Sequence, residues 1–243
     1  MTRENTLNID GLKNARHLGN LQTLDGKTTR DTLIRSDNLT RLTEAGKTSL
    51  LESGISLILD VRAPHELKVD APPFKDHPAV KYLNLPLADD ANEAARMASM
   101  QARSMKDVYQ VMVTHFKTEI GRAMKAIADA PEGKVLVHCH AGKDRTGIVI
   151  ALALSLVGVP DEVIAADYAL TDENMAEIYQ EMLEREPDPR KQAFMKAFMV
   201  SPPEAMLGLL DHLRTEYGGT AEYLQACGLT DEDLDRIRGR LVG

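Results

Sequence analysis

The chain has 243 residues, 43% apolar, 27% charged and only 4% aromatic, with no Trp, which suits a single domain over 1–243 with a mainly aliphatic core. Its net charge of −8 argues against a nucleic-acid partner, because phosphate backbones are held by clustered Lys and Arg. No apolar run reaches the roughly 18 residues that a membrane-spanning helix needs.

The opening stretch MTRENTLNID lacks the apolar core of a signal peptide, so a cytoplasmic protein without membrane insertion is expected. LGNLQTLDGKTTRDTLIRSD (18–37) reads as an N-terminal hairpin turning at Asp25-Gly26. Thr43 is the expected N-cap of a helix stopped by Gly54. That helix contains Gly46-Lys47-Thr48, but Arg41 stands where a nucleotide-binding loop needs its first Gly. ISLILDV (55–61) is apolar except for Ser56 and Asp60, the pattern of a strand buried on both faces of a parallel sheet. KYLNLPL (81–87) and KVLVHC (134–139) are further strand candidates. Between them, over 91–130, Met97, Met100, Met105, Val108, Met112 and Phe116 recur at helical spacing. This segment is expected to be helical and to include a lid over 91–118, with plain core as the alternative. From residue 145 onward helices are expected, with breaks at Gly158-Val159-Pro160, PDP (187–189) and SPP (201–203).

The stretch VLVHCHAGKDRTGIVI (135–150) runs from a strand through a charged turn into an apolar helix. Backbone N–H groups of such a turn, backed by a helix N-terminus, cradle a phosphate-like anion. Cys139 ends the strand and Arg145, six positions later, offers a planar guanidinium that grips two oxygens of a tetrahedral anion. Gly142 and Gly147 permit a tight turn and a close helix approach. Amides, helix dipole and Arg145 together favour the thiolate of Cys139, which is the nucleophilic form. Thr146 is then placed to donate to the sulfur while a phosphocysteine breaks down. His140, Ala141, Gly142, Lys143, Thr146 and Gly147 line this anion site. His138 has a structural role, and no metal is expected from His138, Cys139 and His140, since alternate strand residues point apart. Asp60, at the C-terminal end of its strand, is expected to position Lys143, Arg62 or substrate, the alternative being a plain ion pair with Arg62. Cys227, the second of two cysteines, forms no disulfide framework with Cys139, in keeping with a reducing compartment.

The string HC…GKDRTG (His138, Cys139, Gly142 to Gly147) resembles the active-site signature of cysteine-dependent tyrosine phosphatases. NARHLGNLQTLDGKTTRDTLIRSDNLTRLT, LDVRAPHEL, VYQVMV, YALTDENM and IRGRLVG are similar to segments of the bacterial tyrosine and phosphoinositide phosphatases of the mycobacterial secreted type, so the likeness covers nearly the whole chain. It implies a tyrosine-phosphatase-like α/β fold, a mostly parallel central sheet flanked by helices, with Cys139 as nucleophile, Arg145 as phosphate binder, a helical lid and no cofactor. Ala15, His17 and Asn20 depart from the Phe, Asp and Gly that the family carries near its start. Conventional members bring a general acid on a Trp-Pro-Asp loop. With no Trp present, the family-type acid is Asp144, and Asp60, Asp89, Asp90 and Asp107 are the upstream carboxylates that stand in reserve.

Four functional readings follow. The leading one is a phosphatase of phosphotyrosine, with phosphoserine and phosphothreonine as further substrates, working through a phosphocysteine. The second is a phosphoinositide phosphatase, because His140 and Lys143 sit where similar loops carry extra basic residues. A module that binds phosphorylated partners without turnover is disfavoured by intact Cys139, Asp144 and Arg145. Rhodanese-like sulfur transfer is disfavoured by the GKDRTG continuation.

Overall fold

The computed structural model of the protein describes residues 5–88 and 92–242. Five strands form one sheet: β1 (Arg16–His17), β2 (Leu33–Ser36), β3 (Ile55–Asp60), β4 (Lys81–Asn84) and β5 (Lys134–His138), in the order β1-β2-β5-β3-β4. Only the β1–β2 pairing is antiparallel, so the expected mostly parallel α/β sheet forms. β3 and β5 read as apolar runs because both faces are covered. Leu57, Leu59, Val135 and Val137 enter the larger core on one face, while Ile58 and Leu136 join Leu39, Leu42, Leu50 and Phe74 on the other. Ile55 and Leu57 pair with consecutive residues, Lys134 and Val135. The bulge at Ser56 therefore allows Ile55 and Leu57 to be buried on opposite faces.

The register sets up the functional edge. Ser36 of β2 and Asp60 of β3 both lie opposite His138 of β5, and Asn84 of β4 lies opposite Asp60. All four parallel strands thus end in one row, and the loops that leave them meet at the carboxyl edge, where open α/β sheets bind ligands.

The expected hairpin over 18–37 forms only in part. Gly26 takes its positive φ of 82° and the Thr23 N–H donates to Lys27 O at 2.9 Å, but a single isolated bridge, Gln22–Thr28, follows. The Thr29 hydroxyl donates to Leu18 O at 2.6 Å and accepts the Leu21 N–H at 2.9 Å, adding side-chain bonds to the backbone pair Asn20 N–H to Thr29 O and Thr29 N–H to Leu21 O. The strand that enters the sheet, β2, pairs instead with Arg16–His17.

Helix α1 (Glu44–Glu52) begins on the Thr43 hydroxyl, which accepts the Gly46 N–H, and ends at Gly54 with φ 85°. The Gly-Lys-Thr triplet lies within this helix. After α2 (Pro64–Val69), the methionine segment divides into α3 (Glu93–Ser99), α4 (Met105–His115) and α5 (Lys117–Ala128). It is not one lid. Met105, Tyr109, Met112 and Val113 bury one face of α4 in the larger core, with Phe116 after it, whereas Met97 and Met100 at α3 are exposed. Asp89, Asp90 and Ala91 lie outside the described residues. The breaks after residue 145 fall as expected, between α6 (Asp144–Leu156), α7 (Asp161–Arg185), α8 (Pro189–Phe198) and α9 (Pro203–Tyr217), followed by α10 (Thr220–Ala226) and α11 (Asp231–Leu241). Among the described residues no helix is long and apolar enough to cross a membrane.

This division gives a stability test. Met112→Ala, which empties part of the buried α4 face, should lower unfolding free energy in urea by about 2 kcal/mol or more. Ala94→Gly on exposed α3 should cost about 1 kcal/mol or less. Equal losses would mean that α3 is packed as tightly as α4.

Candidate active site

Cys139 follows β5 directly and is buried, and residues 140–143 carry the chain to α6. Every carbonyl of the turn is taken by a donor outside it. His140 O accepts the Asn38 N–H at 2.8 Å, Ala141 O the Asn14 side-chain amide at 2.9 Å, and Gly142 O the Arg35 guanidinium at 2.5 Å. Lys143 O accepts the Gly147 N–H at 2.7 Å, the first turn of α6. In a trans peptide the C=O and N–H point in opposite directions, and the described residues contain no cis bond. Tethering these carbonyls on one side therefore turns the amides of Ala141, Gly142 and Lys143 toward the other, as an anion cradle requires. Gly142 is obligatory here: its φ is 65°, and a Cβ would stand 2.3 Å from Ser36 O.

The tethers rest on a buried ionic cluster. Arg16 and Arg35 share Asp167 of α7, with Nε of Arg16 at 2.6 Å and Nη1 of Arg35 at 2.5 Å from its two oxygens. Arg16 also donates to Asn14 Oδ1 at 2.6 Å, and Asp37 accepts the Asn14 N–H at 2.9 Å. Burial works against the Asp167 charge, but the two guanidiniums outweigh it and hold this carboxyl below the usual range. Burial likewise pulls Arg16 down to about 10, still charged at neutral pH. Nothing in the sequence pattern selects Asp167, and Asn14, Arg16 and Arg35 stand out only as members of the stretch NARHLGN to TLIRSD that resembles the family. Of its departures, Asn20 adopts φ 63°, the conformation a glycine would supply, and is the one non-glycine residue with positive φ among those described.

On the open side, Arg145 is gripped in two-pronged fashion by Glu66 of α2, through Nη1 to Oε2 and through Nη2 to Oε1 at 2.9 Å. The Ala63 N–H fixes Glu66 Oε2 at 2.8 Å. Burial opposes the Glu66 charge, and the Arg145 bond more than compensates, keeping this carboxyl ionised below its ordinary value. The sequence reading does not single out Glu66, although its place three residues after the N-cap Ala63 is a capping-type signal. Asp144, the first residue of α6, takes a 2.6 Å hydrogen bond on Oδ1 from the Tyr109 hydroxyl. Asp144, Arg145 and Glu66 share the wall of a ≈ 700 Å³ cavity with Ala95, Val108 and Phe198.

Other expected site residues occupy different places. Asp60 and Arg62 have no exposed surface. Nε and Nη2 of Arg62 lie 3.0 and 2.7 Å from the Asp60 carboxylate, and the Tyr82 hydroxyl adds a 2.7 Å bond. The plain ion pair therefore describes them, and they brace the sheet edge beneath the loop. The Lys143 ammonium is also buried, bonded to Phe198 O and, at 3.0 Å, to Val200 O at the end of α8. Thr146 is buried with no partner for its hydroxyl, so the expected bond to the sulfur is not made in this state. His138 is buried, its pKa pushed down by desolvation, with Nδ1 3.2 Å from Cys139 O, in line with a structural role. His140 is exposed. Asp107 caps the start of α4, accepting the Arg103 N–H at 2.8 Å. Gly147 faces Tyr168 and Met206, each 3.4 Å from where a Cβ would be. Among the described residues no grouping of His, Cys, Asp and Glu could hold a metal ion.

Comparison with known proteins gives a consistent picture. The model of the tyrosine phosphatase family matches residues 7–243. A tyrosine-protein phosphatase of Nostoc commune is 27% identical over 221 residues, covering 87% of this chain and 74% of its own. The triple specificity protein phosphatase PtpB of Mycobacterium tuberculosis is 29% identical over 255 residues, covering 87% of this chain and 91% of its own.

The ionic cluster makes a pH-dependent prediction. Asp167→Asn should cost about 3–5 kcal/mol of stability, because two buried guanidiniums lose their counter-charge. The Asp167 contribution is complete above the ordinary carboxylate value of about 4 and is lost as pH falls through its lower folded value. The gap between wild type and variant, measured by urea unfolding, should be constant from pH 7 to about 5 and narrow below about pH 4. A gap that widened on acidification would contradict the charged assignment.

Proposed function

We propose that this chain, which belongs to the tyrosine phosphatase family and is a protein tyrosine phosphatase, works through a phosphocysteine formed on Cys139. The observation that carries this reading is the tethering of four successive loop carbonyls at 140–143, which leaves the amides of the same peptides free for phosphate oxygens. The Cys139 thiolate attacks phosphorus, and the bond from phosphorus to the aryl oxygen breaks. Asp144 supplies the proton that this oxygen takes up. Water then cleaves the S–P bond, releasing inorganic phosphate and restoring the thiolate. Arg145 and the amides of residues 141–144 hold the equatorial oxygens throughout, where negative charge is spread in the transition state.

Phosphotyrosine is the substrate this geometry favours over phosphoinositides. One of the two extra basic groups in the loop, Lys143, is spent on the carbonyls of Phe198 and Val200, leaving His140 alone to meet a second phosphate. The name of the mycobacterial relative speaks of triple specificity, so a panel of phosphotyrosine, phosphoserine and phosphothreonine peptides with inositol phospholipids is the deciding assay. A higher kcat/KM on the inositol lipids would reverse the order.

Cys139→Ser should retain binding of tungstate while p-nitrophenyl phosphate hydrolysis falls by more than about a thousandfold. Turnover near the wild-type rate would eliminate the covalent route. For the acid, Asp144→Asn should slow phosphotyrosine hydrolysis by about 10² to 10⁴ and leave 2,4-dinitrophenyl phosphate, whose leaving group departs without a proton, nearly unchanged. An equal loss on both would confine Asp144 to shaping the loop.

A further inference from the structure

Tyr109 of α4 and Tyr168 of α7 bring two buried hydroxyls to one side of the loop. The Tyr109 oxygen lies 2.6 Å from Asp144 Oδ1 and 2.6 Å from the Tyr168 oxygen, and the rings meet edge to face at 6.0 Å and 85°. The direction of this chain follows from chemistry. An ionised carboxylate only accepts, so Tyr109 donates to Asp144, and its own oxygen then accepts the Tyr168 proton. Burial, and next the Asp144 charge, raise both phenols well above the ordinary tyrosine value, so both remain protonated donors. Asp144 Oδ2 makes no hydrogen bond among the described residues, while Asp144 itself lines the cavity beside Arg145.

We infer that Tyr109 is a positioning residue for acid catalysis, seconded by Tyr168: it occupies Oδ1 of Asp144, so that the transferable proton is carried by Oδ2, on the cavity side. Tyr109 itself transfers no proton. The Oδ2–H bond breaks as the aryl oxygen takes the proton and the P–O bond cleaves, and the pair of electrons left on Asp144 makes its carboxylate a stronger acceptor for Tyr109. A hydrogen bond that tightens as charge develops lowers the barrier rather than only the ground state. The same bond explains two phenols deep in an aliphatic core, where an unpartnered hydroxyl would be costly.

This inference rests on Asp144 as the general acid, and the test separates the two. Tyr109→Phe keeps the ring and removes only the donor. It should lower kcat for phosphotyrosine about 10- to 100-fold, the worth of one hydrogen bond to a charged group, while kcat for 2,4-dinitrophenyl phosphate stays within about twofold. In an Asp144→Asn background, where no proton remains to be positioned, the same substitution should cost nothing further on phosphotyrosine. If Asp144→Asn discriminates between leaving groups and Tyr109→Phe does not, or if the two losses multiply, Tyr109 is merely structural and the inference falls alone. If Asp144→Asn does not discriminate, the acid assignment falls and takes the inference with it. Should Tyr109→Phe melt below the assay temperature, Tyr168→Phe, which frees the Tyr109 hydroxyl to rotate, should show the same leaving-group dependence at smaller size, and an equal effect on both substrates overturns the proposal.

Discussion

The active-site loop depends on two guanidiniums sharing one carboxylate beneath it. Burying an ion costs several kcal/mol even when it is paired, and Arg16, Arg35 and Asp167 are all about 1% exposed. The arrangement is tolerable because all three nitrogens of Arg16 and both Nη atoms of Arg35 are used on Asp167, Asn14 and the loop carbonyls, leaving only Nε of Arg35 without a partner among the described residues. Asp37, buried beside them, adds a second carboxylate to the two cations, so what the cluster supplies is the placing of the loop carbonyls. The amides that those tethers turn outward act on an anion held above. Stability is given up at the buried cluster so that the loop is organised before substrate arrives, which is what electrostatic preorganisation requires.

How much of this is legible in the sequence divides by distance along the chain. Cys139 to Gly147 can be read because strand, turn and helix are contiguous and the residue types carry their own chemistry. β3, β4 and β5 can be read because strands buried on both faces have no polar alternation to obscure them. The partners that set the loop could not be read. Glu66, Tyr109, Asp167 and Arg35 lie 79, 35, 22 and 110 positions from Arg145, Asp144, Arg145 and Arg145 respectively, and only the sheet register and helix packing bring them together. Tyr109 sits among apolar residues of helical spacing, so periodicity reports it as core, and it is core. What the pattern hides is that one atom of that core is polar.

The same limit bears on the lid expected over 91–118. Helical apolar spacing marks a buried face without saying what buries it, and Met112 and Val113 meet the same cluster as Tyr223 and Leu209. Tyr223 also donates to Val113 O at 2.9 Å. α4 is therefore held both by its buried face and through its backbone, which suits an element that must keep the Tyr109 hydroxyl within hydrogen-bonding range of the loop. An exposed apolar side chain lines the cavity elsewhere, Phe198 of α8, whose ring lies 4.7 Å from that of exposed Phe194 at a tilt of 42°. Lys143 ties the end of that helix to the loop, so movement of α8 and the shape of the loop are linked through one ammonium.

The Glu66–Arg145 pair looks at first like an obstacle to the proposed phosphate binding, since a carboxylate already grips the guanidinium assigned to the anion. The geometry resolves this. Glu66 uses one hydrogen on each of Nη1 and Nη2, the end of the fork, and a guanidinium carries five. Nε–H and an outer Nη–H remain on the side edge, spaced for two oxygens of a tetrahedral anion. Because Ala63 in turn holds Glu66, the guanidinium plane is fixed in advance, and little side-chain entropy is lost when substrate engages the free edge. The carboxylate also neutralises Arg145 while the site is empty. Its repulsion toward an incoming dianion is the cost of that arrangement, and it falls most heavily on the substrate with the most negative charge. A crowded polyphosphate headgroup would feel it more than a single phosphotyrosine, in the same sense as the engagement of Lys143 by α8.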